Sequence, residues 1–226
     1  MAQTGAYTHV KEQTIAQMKI ALLGAESTGK SALALQLVQH FQAQHKSVVH
    51  IHEYLREWCD QHQRTPMQHE QLAIAQEQQQ RVASACECEV LIADTTPLMV
   101  AVYSDYIYKD NSLYNMAVAH QYSYDATLLM GLDLPWVADG LQRDGAHVRE
   151  PVDALLRAAL DKAHIPYHVV YGTGDARLHN ALGSLGIKVS TTNDQLLESG
   201  HAKLKNWQCD RCSDPSCEHR LFTRFL

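Results

Sequence analysis

An α/β fold, with five mostly parallel strands sandwiched between helices, follows from three features of this sequence. Short apolar runs alternate with helical segments along most of the chain, the pattern of a parallel sheet covered on both faces. The first apolar run leads directly into "GAESTGKS" (Gly24 to Ser31), which matches G-x-x-x-x-G-K-S/T without a mismatch. Two later apolar runs each deliver an acid at their C-terminal end, Glu53 and Asp94, where open parallel sheets gather their ligands.

Taken in order, "MKIALLG" (18–24) is a buried strand ending in glycine. "KSALALQLVQHFQAQ" follows, with Ala34, Leu37, Val38 and Phe41 on one helical face. "SVVHIHE" (47–53) is a second strand, β-branched and apolar. Residues 66–87 are rich in helix formers, and their glutamines form a solvated face. "EVLIADTT" (89–96) is a third strand, followed by a tyrosine-rich helical region over 97–122. "ATLLMGLDLP" (126–135) and "YHVVYG" (167–172) complete the sheet. Helices carrying Leu156, Ala159, Leu160 and Ala163, then Leu178, Ala181, Leu182 and Leu185, flank the last strand. Residues 1–17 read as a flexible N-terminus, 18–190 as the catalytic domain and 191–226 as a cysteine-bearing appendage.

The 226 residues are 46% hydrophobic and 19% charged, the balance of an ordinary globular protein. A formal charge of −6 gives no general pull toward nucleic acid or anionic membrane. No run approaches the ~20 apolar residues that span a bilayer, and the opening segment lacks the basic start and apolar stretch of a secretory signal. A cytoplasmic protein is therefore expected, with no membrane or nucleic-acid partner; self-association is left open.

The glycine loop is where chemistry enters. Gly24 and Gly29 let successive N–H groups turn inward on a phosphate chain, and the helix N-terminus adds its dipole. Lys30 reaches the β- and γ-phosphates, and Ser31 supplies a hydroxyl for Mg²⁺. Strand before and helix after raise the match to a phosphate-loop NTPase fold, which by itself does not distinguish a kinase from an ATPase switch. Asp94 either holds the magnesium shell or caps the next helix through "DTTP". Glu53 either accepts a proton from an attacking hydroxyl or forms a surface pair with Arg56 one turn on. In "LPWVADGLQRDGAHVRE", Arg143 and Arg149 either close over a triphosphate as a lid or belong to a solvated loop.

The series "GAESTGKS", "HEYLREW", "IADTTPL", "DLPWVADGLQRDGAHVREPVDALLRAAL" and "VVYGTGDAR" resembles the nicotinamide riboside kinase domain of the NadR-like family, in the family's order, over roughly 18–186. The resemblance implies a phosphate-loop fold of the nucleoside and nucleotide kinase type and ATP-dependent transfer of a γ-phosphate to the ribose 5′-hydroxyl of nicotinamide riboside, a step of NAD salvage. It implies an ATP site at Gly24, Glu26, Ser27, Thr28, Gly29, Lys30 and Ser31, with Thr173 and Arg177 beside adenine. Asp94 would serve the metal or the attacking hydroxyl, Glu53, Tyr54 and Arg56 would lie near the riboside, and Trp136 and Asp139 on its far side. Arg143 and Arg149 would be the lid. The chain departs from the family at Gln142, which displaces the usual arginine by one place, and in its tail. A second reading is an ATP-binding regulatory ATPase whose tail contacts a partner; a third is a kinase of another nucleoside.

In that tail, Cys209, Cys212, Cys217 and His219 could complete a tetrahedral structural zinc site, although the second half of the spacing is compressed. Reduced, unligated thiols are the equal alternative. Cys86 and Cys88 precede a buried strand and read as packing residues.

Overall fold

A computed structural model describes residues 17–85, 87–137 and 145–188. Five strands, β1 (Met18–Leu23), β2 (Val48–Ile51), β3 (Val90–Asp94), β4 (Ala126–Met130) and β5 (His168–Val170), form one sheet in the order β2-β3-β1-β4-β5. All four pairings are parallel. The helices between them are α1 (Lys30–Ala43), α2 (Tyr54–His62), α3 (Gln71–Ala83), α4 (Pro97–Tyr108), α5 (Tyr114–Gln121), α6 (Arg149–Lys162) and α7 (Gly174–Ser184).

The two-residue period of a strand divides the core. Ile20 and Leu22 of β1 face α1 and α7, where they meet Leu33, Leu37, Phe41, Ile92, Leu128 and Leu182. Leu23 faces the opposite layer, built from α3 to α6 around Ile74, Leu98, Val102, Val152 and Leu156. Each such leucine or isoleucine contributes about 1.5–3 kcal/mol by leaving water. The near-continuous apolar runs of β1, β3 and β4 are the consequence of burial on both faces.

Three predicted elements are refined by local physics. The helix expected over 66–87 begins with a 3-10 turn at Gln68–Glu70 and becomes α-helical only over Gln71–Ala83. The carboxylate of Glu70 holds that turn, accepting from the Met67 N–H at 2.7 Å and from both terminal nitrogens of Arg64 at 2.7 Å. The tyrosine-rich region breaks at Lys109, whose φ of 57° ends α4. The fourth strand stops at Met130, five residues short of the predicted end. Gly131 lies against Tyr171, whose ring atoms would be 2.5 Å from an added Cβ, and the chain then turns toward the glycine loop.

β1 is followed by α1 on one face, and β3 by α4 on the other. A crevice therefore opens between their carboxyl ends, the position where such sheets bind ligands. Leu22 stands opposite Asp94 in that register, so topology places the glycine loop and the acid side by side.

Candidate active site

The loop from Gly24 to Gly29 is held by backbone angles that ordinary residues avoid. Gly24 has φ 144° and Gly29 φ 81°, and Ser27 adopts φ 56°. A Cβ on Gly24 would stand 2.9 Å from Cβ of Met130 and 3.0 Å from Oγ1 of Thr28. Gly24→Ala is accordingly expected to cost about 1–3 kcal/mol of stability, read as a lowered urea midpoint with an unchanged slope. An unchanged midpoint would mean that the loop relaxes freely.

Inside the loop, Lys30 Nζ donates to the carbonyls of Gly24 at 2.8 Å and Ala25 at 3.0 Å. Thr28 Oγ1 donates to the Ala25 carbonyl at 2.7 Å. Both side chains are buried, so the loop is shaped by its own hydrogen bonds.

Asp94, 2% exposed at the end of β3, has a buried Oδ1 with no hydrogen-bond partner among the described residues. The alternative of a helix cap is decided by its neighbour. Thr96 caps α4, its hydroxyl accepting from the Leu98 N–H at 3.2 Å. A buried carboxylate oxygen without a donor is costly unless a cation or water meets it. With the Ser31 hydroxyl lining the same cavity, the pair fits the hard-oxygen demand of magnesium. Thr95, between Asp94 and Thr96 in the chain, has φ 86°, rare for a β-branched residue. Its carbonyl accepts from Gln78 Nε2 at 3.3 Å, and the same nitrogen reaches the His52 carbonyl at 3.3 Å while Gln78 Oε1 accepts from the Tyr54 N–H at 2.8 Å. This fully buried glutamine ties the ends of β2 and β3 together.

Glu53 stands at the head of α2, and Arg56 Nε donates to its Oε2 at 2.8 Å. The pair lines two cavities at once. One, of about 570 Å³, includes Ser31, His50, His52 and Asp94. The other, of about 170 Å³, is bordered by Lys30 and Glu26 and walled by Met99, Tyr103 and Tyr108, with Gln71 and Thr95 as polar groups. Burial pushes the Cys59 thiol in that second cavity upward, with Asp60 and Glu53 adding to it, so this cysteine is not an activated nucleophile. Burial likewise lowers His50, helped by His52 and opposed by Asp94.

The segment after β4 latches onto the loop. Ser27 Oγ donates to the Val137 carbonyl at 2.8 Å and accepts from the Val137 N–H at 3.0 Å, and Trp136 Nε1 donates to Glu26 Oε2 at 3.4 Å. Arg149, the first residue of α6 and 8% exposed, donates to the carbonyls of Leu134 at 2.8 Å and Leu132 at 3.3 Å. Its guanidinium is thus turned inward as an anchor of that segment. Arg177, 3% exposed, donates to the carbonyls of Thr28 and Gly172 and pairs with Asp133 at 2.6 Å. It braces the glycine loop against the ends of β4 and β5. Thr173 heads α7 without a side-chain capping bond.

The crevice therefore brings together Lys30, Ser31, Glu53, Arg56 and Asp94. Neither Tyr54 nor Trp136 is among the described residues that line the two cavities; Tyr54 lies under Arg81, 4.4 Å from its ring centroid. Asp139, Arg143, Cys86 and the tail residues Cys209, Cys212, Cys217 and His219 lie outside the described residues. Gln71, Gln78, Thr95, Met99 and Tyr103 escaped the sequence reading, because helical glutamines and apolar positions look like ordinary face and core.

The sequence pattern of the AAA domain matches residues 19–177, from the first strand to the bracing arginine. The chain belongs to the AAA-domain family. The solved NadR protein in complex with NR superposes with a TM-score of 0.60 at 14% identity, over 77% of this chain and 51% of that one. The chain thus spans about half the length of that relative. Thymidylate kinase from Ehrlichia chaffeensis gives a TM-score of 0.55 at 14% identity, over 75% of this chain and 98% of that one. Deoxyadenosine kinase from M. mycoides, with products dCMP and dCDP, gives 0.52 at 15% identity, over 75% and 99%. No curated protein matches the chain. The fold of this AAA-domain protein is that of the phosphate-loop kinases, as the alternation of strands and helices and the glycine loop led us to expect. No described helix is long and apolar enough to cross a membrane.

Proposed function

We propose that this protein is an ATP-dependent small-molecule kinase that phosphorylates the 5′-hydroxyl of nicotinamide riboside. The observation that carries the reading is the double cavity. Glu53 and Arg56 form a wall common to the phosphate-loop side, with Ser31 and Asp94, and to a smaller tyrosine-walled pocket. That layout suits an acceptor held beside a donor, and a plain ATPase needs no second pocket.

In this reading the loop N–H groups and Lys30 hold the triphosphate, and Ser31 and Asp94 hold magnesium, which offsets charge on the phosphate oxygens when bound. Glu53 takes the proton of the acceptor hydroxyl as its oxygen forms the new bond to the γ-phosphorus. The bond from that phosphorus to the bridging oxygen breaks, and ADP leaves with the electron pair. Arg56 steadies Glu53 and adds positive charge beside the transferring group. A flat cationic ring suits a pocket with Tyr103 and Tyr108 as aromatic faces and Glu26 and Glu53 as nearby carboxylates. Gln71 and Thr95 offer hydrogen bonds to a carboxamide edge. The NadR protein was solved with NR, which supports the choice of riboside.

A coupled ADP-release assay with ATP, Mg²⁺ and a panel of nucleosides tests the proposal. Turnover confined to nicotinamide riboside is the expected result. Turnover on another nucleoside alone moves the substrate, and hydrolysis independent of any nucleoside would favour the regulatory ATPase. Tyr103→Ala, which removes a wall of the smaller pocket, is expected to raise the riboside KM about tenfold while the ATP KM changes less than twofold. Equal losses for both substrates would assign Tyr103 to the packing of α4 instead.

A further inference from the structure

His50 has no role in the mechanism above, yet it lies on the wall of the same cavity as Ser31 and Asp94. Its Cα partner on β3 is Ile92, and Asp94 follows two residues later. Alternate residues share a face, so His50 and Asp94 project to one side of the sheet, the side on which Ile92 packs against α1. Ser31 is in the first turn of that same helix. The imidazole Nε2 of His50 is buried and has no hydrogen-bond partner among the described residues, as is true of Asp94 Oδ1. His52, just past the end of β2, meets it ring to ring at 4.0 Å. Two orphaned buried atoms, one nitrogen and one oxygen, thus belong to side chains of one cavity beside a helix-opening hydroxyl.

We propose that His50 makes the nucleotide-metal site a mixed nitrogen and oxygen site, with the imidazole facing a divalent ion held by Ser31 and Asp94. Magnesium accepts oxygen and keeps its waters, whereas manganese and cobalt also accept imidazole nitrogen. His50 therefore sets metal preference: it tightens Mn²⁺ and Co²⁺ and leaves Mg²⁺ nearly unaffected. The inference rests on the metal and nucleotide assignment of Ser31 and Asp94 made under Proposed function.

The test uses the full chain with ADP and Mn²⁺. Pulsed electron paramagnetic resonance of the bound Mn²⁺ is expected to show the ¹⁴N modulation of an imidazole. Labelling with ¹⁵N-histidine should remove it, His50→Leu should abolish it, and His52→Leu should leave it. Titration of free Mn²⁺ should show His50→Leu binding about tenfold more weakly, with Mg²⁺ affinity changed less than twofold. Mn²⁺ bound with ADP but without histidine modulation overturns the role of His50 alone. Equal weakening of Mn²⁺ and Mg²⁺ in His50→Leu also overturns it, since the residue would then merely shape the cavity. Mn²⁺ that fails to bind with ADP even to the unaltered protein overturns the Ser31 and Asp94 assignment instead. If His50→Leu does not fold, the ¹⁵N-histidine comparison on the His52→Leu chain decides the outcome, because His50 is then the one histidine among the described residues that line the cavity.

Discussion

Replacing Lys30 with alanine is expected to lower kcat for phosphoryl transfer by about a thousandfold or more. The ammonium is the one cation built into the glycine loop itself, and it lies over the Gly24 and Ala25 carbonyls at 2.8 and 3.0 Å. In the transition state, charge spreads over the γ-phosphoryl oxygens, so the loss falls on kcat more than on riboside binding. Stability should change by only about 1 kcal/mol, because the two carbonyls freed are acceptors at a loop that water can reach from the crevice. The coupled assay gives the rate, and a thermal melt checks the fold. Near-normal turnover with a normal melt would remove the phosphate loop from the chemistry altogether.

Arg177→Ala should have the largest effect on stability, about 3–5 kcal/mol. Its guanidinium side chain is 4% exposed and its partner Asp133 29% exposed. The substitution leaves that carboxylate facing the Gly172 N–H, at 2.6 Å, as its remaining donor, and strips a donor from the carbonyls of Thr28 and Gly172. Because Thr28 belongs to the glycine loop, ATP affinity should fall together with stability. A denaturant titration and a nucleotide-binding titration on the same variant separate the two losses. Weakened ATP binding at full stability would return Arg177 to the role of a direct nucleotide contact. The expected loss of both makes it a positioning residue.

Glu53 shows how far the sequence could be followed. Its place at the end of a strand was legible, and so was a pairing with Arg56 one turn away, but the two readings of that pair looked exclusive. The ion pair forms and borders both cavities, so pairing with Arg56 does not take Glu53 out of the crevice. Arg149 is the opposite case. A cation in a glycine-containing loop reads as a lid, but its burial and its two carbonyl partners depend on the path taken by Leu132 and Leu134, which no local pattern encodes. Gln71 and Gln78 illustrate the same limit, because three-dimensional neighbours decide which glutamine of a polar helix is buried.

By itself the sequence determined the glycine loop, the five strands and the acids at their ends. Each is written in local spacing: the two-residue and 3.6-residue periods, and the glycines that permit φ above zero. Tertiary structure alone decided which of those strand ends meet. β3 inserts between β1 and β2, setting Asp94 opposite Leu22 and bringing His50 onto the same face. Strand order follows from how the helices share two apolar faces, a property of the whole packed core. A chemical site assembled across three strands is therefore invisible to any window of the chain, even where every one of its residues can be named.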